Sequence, residues 1–116
     1  MKKQIKDLEL YELDFLVAKA EGKEPKIESN ICYCEFNDFF GEEIYSPTTN
    51  PSQAWPIIER ERIATRSDIH MAYKPIKKSR DFDYKMYGKT SLEAAMRCYA
   101  ASKFGDKVDL DNLINK

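Results

Sequence analysis

The residues best suited to chemistry lie together between Tyr45 and Arg62. This stretch supplies aromatic faces in Tyr45 and Trp55, short donors and acceptors in Ser46, Thr48, Thr49 and Asn50, and the guanidinium forks of Arg60 and Arg62. A nucleotide calls for those three kinds of group: a π surface for the base, hydroxyls and backbone N–H groups for phosphate oxygens, and arginine for bidentate charge. The same residues have a structural reading, in which Trp55 fills the core and the arginines pair with Glu59 and Glu61. A second cationic set, Lys74, Lys77, Lys78 and Arg80, is interrupted by Asp81 and Asp83 and reads as a solvated connection.

Catalytic and metal chemistry is poorly provided for. Cys32 and Cys34 would share one face of a strand, which suits burial as well as ligation. Cys98 is remote, and His70 is the sole imidazole in the sequence, whereas structural zinc takes four ligands at closer spacings. The sequence holds neither a phosphate-cradling glycine loop nor a nucleophile elbow, and its four glycines are scattered. No catalytic residue and no cofactor is expected, so binding is favoured over turnover.

The elements that must position these residues are partly legible. Leu10, Leu13, Leu16, Val17 and Ala20 recur at helical spacing, and Gly22 stands where helices commonly end. Leu8 to Glu21 therefore reads as an amphipathic helix with Glu9, Glu12, Asp14 and Lys19 on its polar face. Lys23 to Asn30 reads as a connection, Ile31 to Phe36 as a strand, and Ile44–Tyr45 as the start of another extended piece. Ser46 to Pro56 holds Pro47, Pro51 and Pro56 and reads as an ordered loop, because proline interrupts ladders and helix interiors alike. Pro56 to Ile63 fits either a helical turn opened by its proline or the entry to a strand. Ile69 to Tyr73 reads as a strand with Ile69, Met71 and Tyr73 on one face. Lys74 to Lys89 reads as an exposed connection in which Tyr84 to Tyr87 is extended. The last helix, 90–104, opens on Thr90 with Glu93 three residues on, a capping-box pattern, and closes at Phe104–Gly105. Arg97 lies off its apolar stripe and is positioned to point toward the Tyr45–Arg62 region. Val108, Leu110, Leu113 and Ile114 are expected to pack back onto the core.

Composition sets the frame for these elements. A chain of 116 residues with 42% apolar content has room for one domain, 1–116, with a core of its own. The predicted class is α+β: a short antiparallel sheet packed by an N-terminal and a C-terminal amphipathic helix. Nineteen basic residues against twenty acidic leave a net charge of −1, which disfavours a nucleic-acid partner. No apolar run approaches the ~20 residues of a membrane span. The first residues lack the apolar stretch of a signal peptide, and an odd number of cysteines suits a reducing compartment, so a cytoplasmic location is expected.

The blocks Leu13 to Gly22, Tyr45-Ser46-Pro47-Thr48-Thr49-Asn50, Pro56 to Ile63 and Ala94 to Gly105 follow one another in an order that resembles the phage NinX family. That family comprises small accessory proteins of tailed phages with no known activity, and the resemblance runs from about residue 8 to 113. Where its members place tryptophan directly after the Asn or Asp, this sequence has Pro51-Ser52-Gln53-Ala54 before Trp55. The resemblance implies a phage origin and expression in the cytoplasm of an infected bacterium. The expected function is a non-enzymatic binder of a small, nucleotide-like ligand that sequesters a nucleotide signal of the host. Tyr45, Ser46, Thr48, Thr49, Asn50, Trp55, Arg60, Arg62 and Arg97 form the ligand-facing set, and a homo-oligomer closes over the ligand. The alternative is a protein-interaction module that modulates a host or phage replication, recombination or defence protein.

Overall fold

The computed structural model describes residues 2–37, 41–74 and 84–114. Phe39–Phe40 and the cations Lys77, Lys78 and Arg80 lie outside the described residues. Helix α3, the last long helix (Ser91–Phe104), is the element on which the others assemble: every residue from Glu93 to Ala101 is buried. Alanines at 94, 95, 100 and 101 keep its surface thin, so neighbours approach closely on several sides. It starts where the sequence predicts, with Thr90 Oγ1 accepting the Glu93 N–H at 3.1 Å. Helix α1 (Leu10–Ala20) packs against it and buries Leu13, Leu16 and Val17 in the common core, and Gly22, at φ 78°, turns the chain away from the helix end.

Three small antiparallel sheets replace the single sheet expected. In the first, β2 (Pro25–Glu28), β3 (Ile31–Asn37) and β4 (Gly41–Ile44) run in sequence order. Ser29 and Asn30 link β2 to β3 as a two-residue turn, both at positive φ, 52° and 62°. That is the conformation a tight hairpin between right-twisted strands requires. The stretch read as a connection is thus a strand with polar, outward side chains. In the second sheet, β5 (Ala64–Arg66), β6 (Met71–Lys74) and β7 (Tyr84–Tyr87) form a meander packed on α3. Ile69 belongs to the β5–β6 turn, 45% exposed, and not to β6 as expected. The third sheet is a two-residue ladder between β1 (Lys3–Gln4) and β8 (Lys107–Val108). Beyond it, helix α4 (Leu110–Ile114) buries Leu110, and Leu113 packs against the core, but Ile114 stays 40% exposed.

The proline-rich segment is the largest departure. Its loop ends at Asn50, and helix α2 (Pro51–Glu61) takes up the rest. Asn50 Oδ1 accepts the Ser52 N–H at 2.9 Å, and Pro51 occupies the first helical position, where its missing N–H would be unpaired anyway. Pro56 sits inside the helix on its exposed side. The carbonyl it leaves without its helical donor, that of Ser52, belongs to an exposed residue, where solvent can supply the missing bond, so the helix tolerates both prolines.

Arg97 is buried, and its guanidinium is fully committed. Nη1 donates to the Ile5 carbonyl at 2.6 Å and Nη2 to the Leu8 carbonyl at 2.9 Å. Nε and Nη2 also reach Glu93 Oε2, at 3.4 and 3.3 Å. These bonds tie the short 3-10 turn Ile5–Asp7, with buried Ile5 and Leu8 at and beside it, onto α3. The Ile5 N–H, on the Asp106 carbonyl at 2.8 Å, extends the β1–β8 pairing into the same region. Arg97 therefore faces the N-terminal segment and not the Tyr45–Arg62 region. Replacing it with methionine takes the charged partner from the buried Glu93, which keeps only the Lys89 N–H among the described residues, and a donor from the Ile5 and Leu8 carbonyls, so Arg97→Met is expected to cost about 3–5 kcal/mol in urea unfolding. A cost below about 1 kcal/mol would show that water serves those groups equally well.

Candidate functional site

Tyr45 leaves β4 with its N–H still on the Cys32 carbonyl at 2.9 Å, so the following turn starts in register with β3. The Ser46 carbonyl then accepts the N–H groups of Thr49 and Asn50, at 2.9 and 2.8 Å, and closes the chain around Pro47 and Thr48. Gln53 reaches back from the first turn of α2. Its Oε1 accepts the Ser46 N–H at 2.7 Å and its Nε2 donates to the Ile44 carbonyl at 3.1 Å, which continues the ladder where β4 stops.

This turn sets Thr48 on helix α1. The Thr48 N–H donates to Asp14 Oδ1 at 3.0 Å, and both residues are buried. The Thr48 side chain lies against the same carboxyl, yet its Oγ1, in a residue only 1% exposed, meets no hydrogen-bond partner of acceptable geometry among the described residues. A buried polar group left in that state costs ~1–3 kcal/mol. Burial pushes the Asp14 carboxyl up to about 6, against the downward pull of the Thr48 N–H and, more weakly, of the Thr48 hydroxyl, which lies close to the carboxyl without the alignment of a hydrogen bond. Cys32 and Cys34 on β3 and the phenol of Tyr45 are the titratable neighbours that feel its charge. Hydrogen bonding to Cys34, then burial, pushes the Cys32 thiol up, and burial pushes Tyr45 up.

Asp14 and Thr48 line a cleft of about 300 Å³, the lower end of the range for small-ligand sites. Ser46, Thr49 and Asn30 add polar groups to its walls. Leu10, Ile31 and Ile44 add apolar ones, and these stand 37%, 37% and 52% exposed. None of the lining side chains is a lysine, arginine or histidine.

Of the nine residues expected to face a ligand, Tyr45, Ser46, Thr48 and Thr49 line this cleft. Asn50 caps α2 instead. Trp55 stands on α2, 53% exposed, with its Nε1–H on Glu59 Oε1 at 2.9 Å, so it neither fills the core nor lines the cleft. Arg62 is exposed at the C-cap of α2, in the left-handed conformation. Arg60 is drawn into a network that binds three helices. Its Nη1 and Nη2 reach Glu21 at 3.0 and 2.6 Å, Nη2 also donates to the Tyr99 hydroxyl at 3.2 Å, and Nε meets Glu61 at 2.9 Å. Tyr99 donates its own proton to Glu21, and the guanidinium stands over the Tyr99 ring. Burial raises the Glu21 carboxyl, but Arg60 and Tyr99 outweigh it and hold it below its ordinary value. Glu61 takes Lys74 at 2.7 Å on its other oxygen. His70 is exposed in the β5–β6 turn.

Asp14 is the residue that sequence reasoning missed, having been placed on the polar face of its helix. The signal was present: Leu10, Asp14 and Val17 are spaced four and three residues apart, which sets a lone acid on the apolar stripe.

The blocks that carry the family resemblance meet one another at these contacts. Asp14 and Glu21 come from the first, Thr48 from the second, Arg60 from the third and Tyr99 from the fourth. The chain belongs to the family described as Bacteriophage P22, NinX, whose model matches residues 4–103. No curated protein matches it. Among the described residues, no helix is long and apolar enough to cross a membrane.

The buried carboxyl has a thermodynamic signature. Asp14 loses its proton near 3.8 when unfolded and near 6 when folded, so between those values the folded state holds the extra proton. Stability contributed by this group therefore falls as pH rises from about 4 to 6 and stays low above, by up to roughly 3 kcal/mol at 1.36 kcal/mol per unit. Asparagine keeps an acceptor for the Thr48 N–H without the charge. The stability of Asp14→Asn relative to wild type, from urea midpoints, is expected to rise between pH 4.5 and 7. A pH-independent difference would mean that the carboxylate ionises in the fold without penalty.

Proposed function

We propose that this phage protein is a non-catalytic binder of a small, nucleotide-like ligand, acting in the cytoplasm of the infected cell by sequestering a host signal. The observation that carries the reading is the buried, unpartnered Thr48 hydroxyl beside the buried Asp14 carboxyl in an apolar-walled cleft. Both features work against stability, and sites with such costs are where folds keep groups for a ligand. Binding is favoured over turnover because the walls offer one carboxylate and several hydroxyls, with the imidazole of His70 exposed on a separate turn. The exposed rim of Leu10, Ile31 and Ile44 suits closure by a second copy, so a homo-oligomer remains part of the proposal.

A second reading, a protein-interaction module acting on a host or phage replication, recombination or defence protein, draws on Trp55. Its N–H is already bonded within α2, so what it offers outward is a half-exposed apolar ring of the kind common at interface centres.

The test is thermal unfolding of wild type and Thr48→Val against nucleosides and linear and cyclic nucleotides. A ligand at 100 times its Kd adds ~2.7 kcal/mol, several degrees for this size of domain. Wild type is expected to shift. Thr48→Val, relieved of its unpaired hydroxyl, is expected to melt at the same temperature or slightly higher and to lose the shift. A flat panel with wild type, or a variant that still responds fully, overturns the reading.

A further inference from the structure

We infer that the group entering the cleft is a planar head with two adjacent N–H donors, the chemistry shared by the amino-lactam edge of guanine and by a guanidinium, and that phosphate stays outside. This rests on reading the cleft as a ligand site.

The polar groups decide the sign. Asp14 gives one oxygen to the Thr48 N–H, yet a carboxylate has about four acceptor positions, so acceptor capacity is left over. Two parallel donors meet a carboxylate in a fork, which is stronger and more directional than a single neutral hydrogen bond. The Thr48 hydroxyl beside it can accept a further donor or donate to a ring carbonyl. Leu10, Ile31 and Ile44 suit the faces of a flat group.

The same walls reject an anion. A phosphate would face Asp14 with no lining cation to offset it. The arginines that sequence reasoning assigned to phosphate are engaged or elsewhere: Arg60 with Glu21 and Glu61, Arg97 with two backbone carbonyls and Glu93, and Arg62 exposed at the end of α2.

Isothermal titration and thermal unfolding at pH 7.5 with guanosine, inosine, agmatine, adenosine and inorganic phosphate test this. Guanosine or agmatine is expected to bind and raise Tm by several degrees. If guanosine binds, inosine, which lacks the exocyclic amine, is expected to bind at least about tenfold more weakly. Asp14→Asn should abolish binding while remaining folded, and Arg62→Ala should leave it unchanged. Binding of guanosine alone names the base as the source, and binding of agmatine alone names the guanidinium. If adenosine or phosphate binds while guanosine and agmatine do not, the donor-pair assignment is overturned and the ligand site stands. If none of the five binds, the assignment is overturned, and the broader nucleotide panel decides the fate of the site.

Discussion

The burial of α3 on most of its circumference is the constraint from which the rest of this fold follows. Sheets of two or three short strands do not hold together in water, and each of the three here leans on a helix. One helix can serve several neighbours only if its side chains are small, which its four buried alanines provide. The single large cation within that buried run, Arg97, is tolerated because each of its guanidinium nitrogens has an acceptor.

Arg97 and Asp14 are opposite uses of a buried charge. Around Arg97 the accounting closes, and the result is a rivet between the N-terminal segment and α3. At Asp14 it does not close: the carboxyl is held in a poorly solvated place with one backbone donor, next to a hydroxyl with none to offer it good geometry. The Arg60–Glu21–Tyr99 network resembles the first case, since each member has at least two partners. Residues read from the sequence as ligand-facing therefore divide by how completely the protein satisfies them. The arginines mostly serve structure, and the turn after β4 keeps the unmet groups.

What the sequence revealed was local. Helices α1 and α3 were legible because each carries several turns of apolar periodicity and punctuation at its ends, Gly22 in one and Thr90–Glu93 in the other. Strand β2 was not, because its exposed Lys26 and Glu28 mask the alternation and its turn uses Ser29–Asn30 without glycine. Helix α2 was hidden by two prolines, one at a position that tolerates proline and one facing solvent. The place of Tyr45, Ser46, Thr48 and Thr49 along one cleft was legible because polar residues crowd into a short stretch. Their partner was not, because the contact between Thr48 and Asp14 spans 34 residues and leaves no mark in either neighbourhood. The role of Arg97 was hidden for the same reason, its carbonyl acceptors lying 89 and 92 residues away.

The ladder between β1 and β8 sets Lys3 opposite Val108, so the two outer strands of the described fold are immediate neighbours. Covalent order is then a separate matter from architecture. A linker run from beyond α4 back to β1 would let the polypeptide be opened at a surface turn such as Ser29–Asn30 while the β1–β8 ladder stays in place. Seen this way, the described elements close into a ring of contacts around one helix, and chain order is only one of the ways to thread that ring.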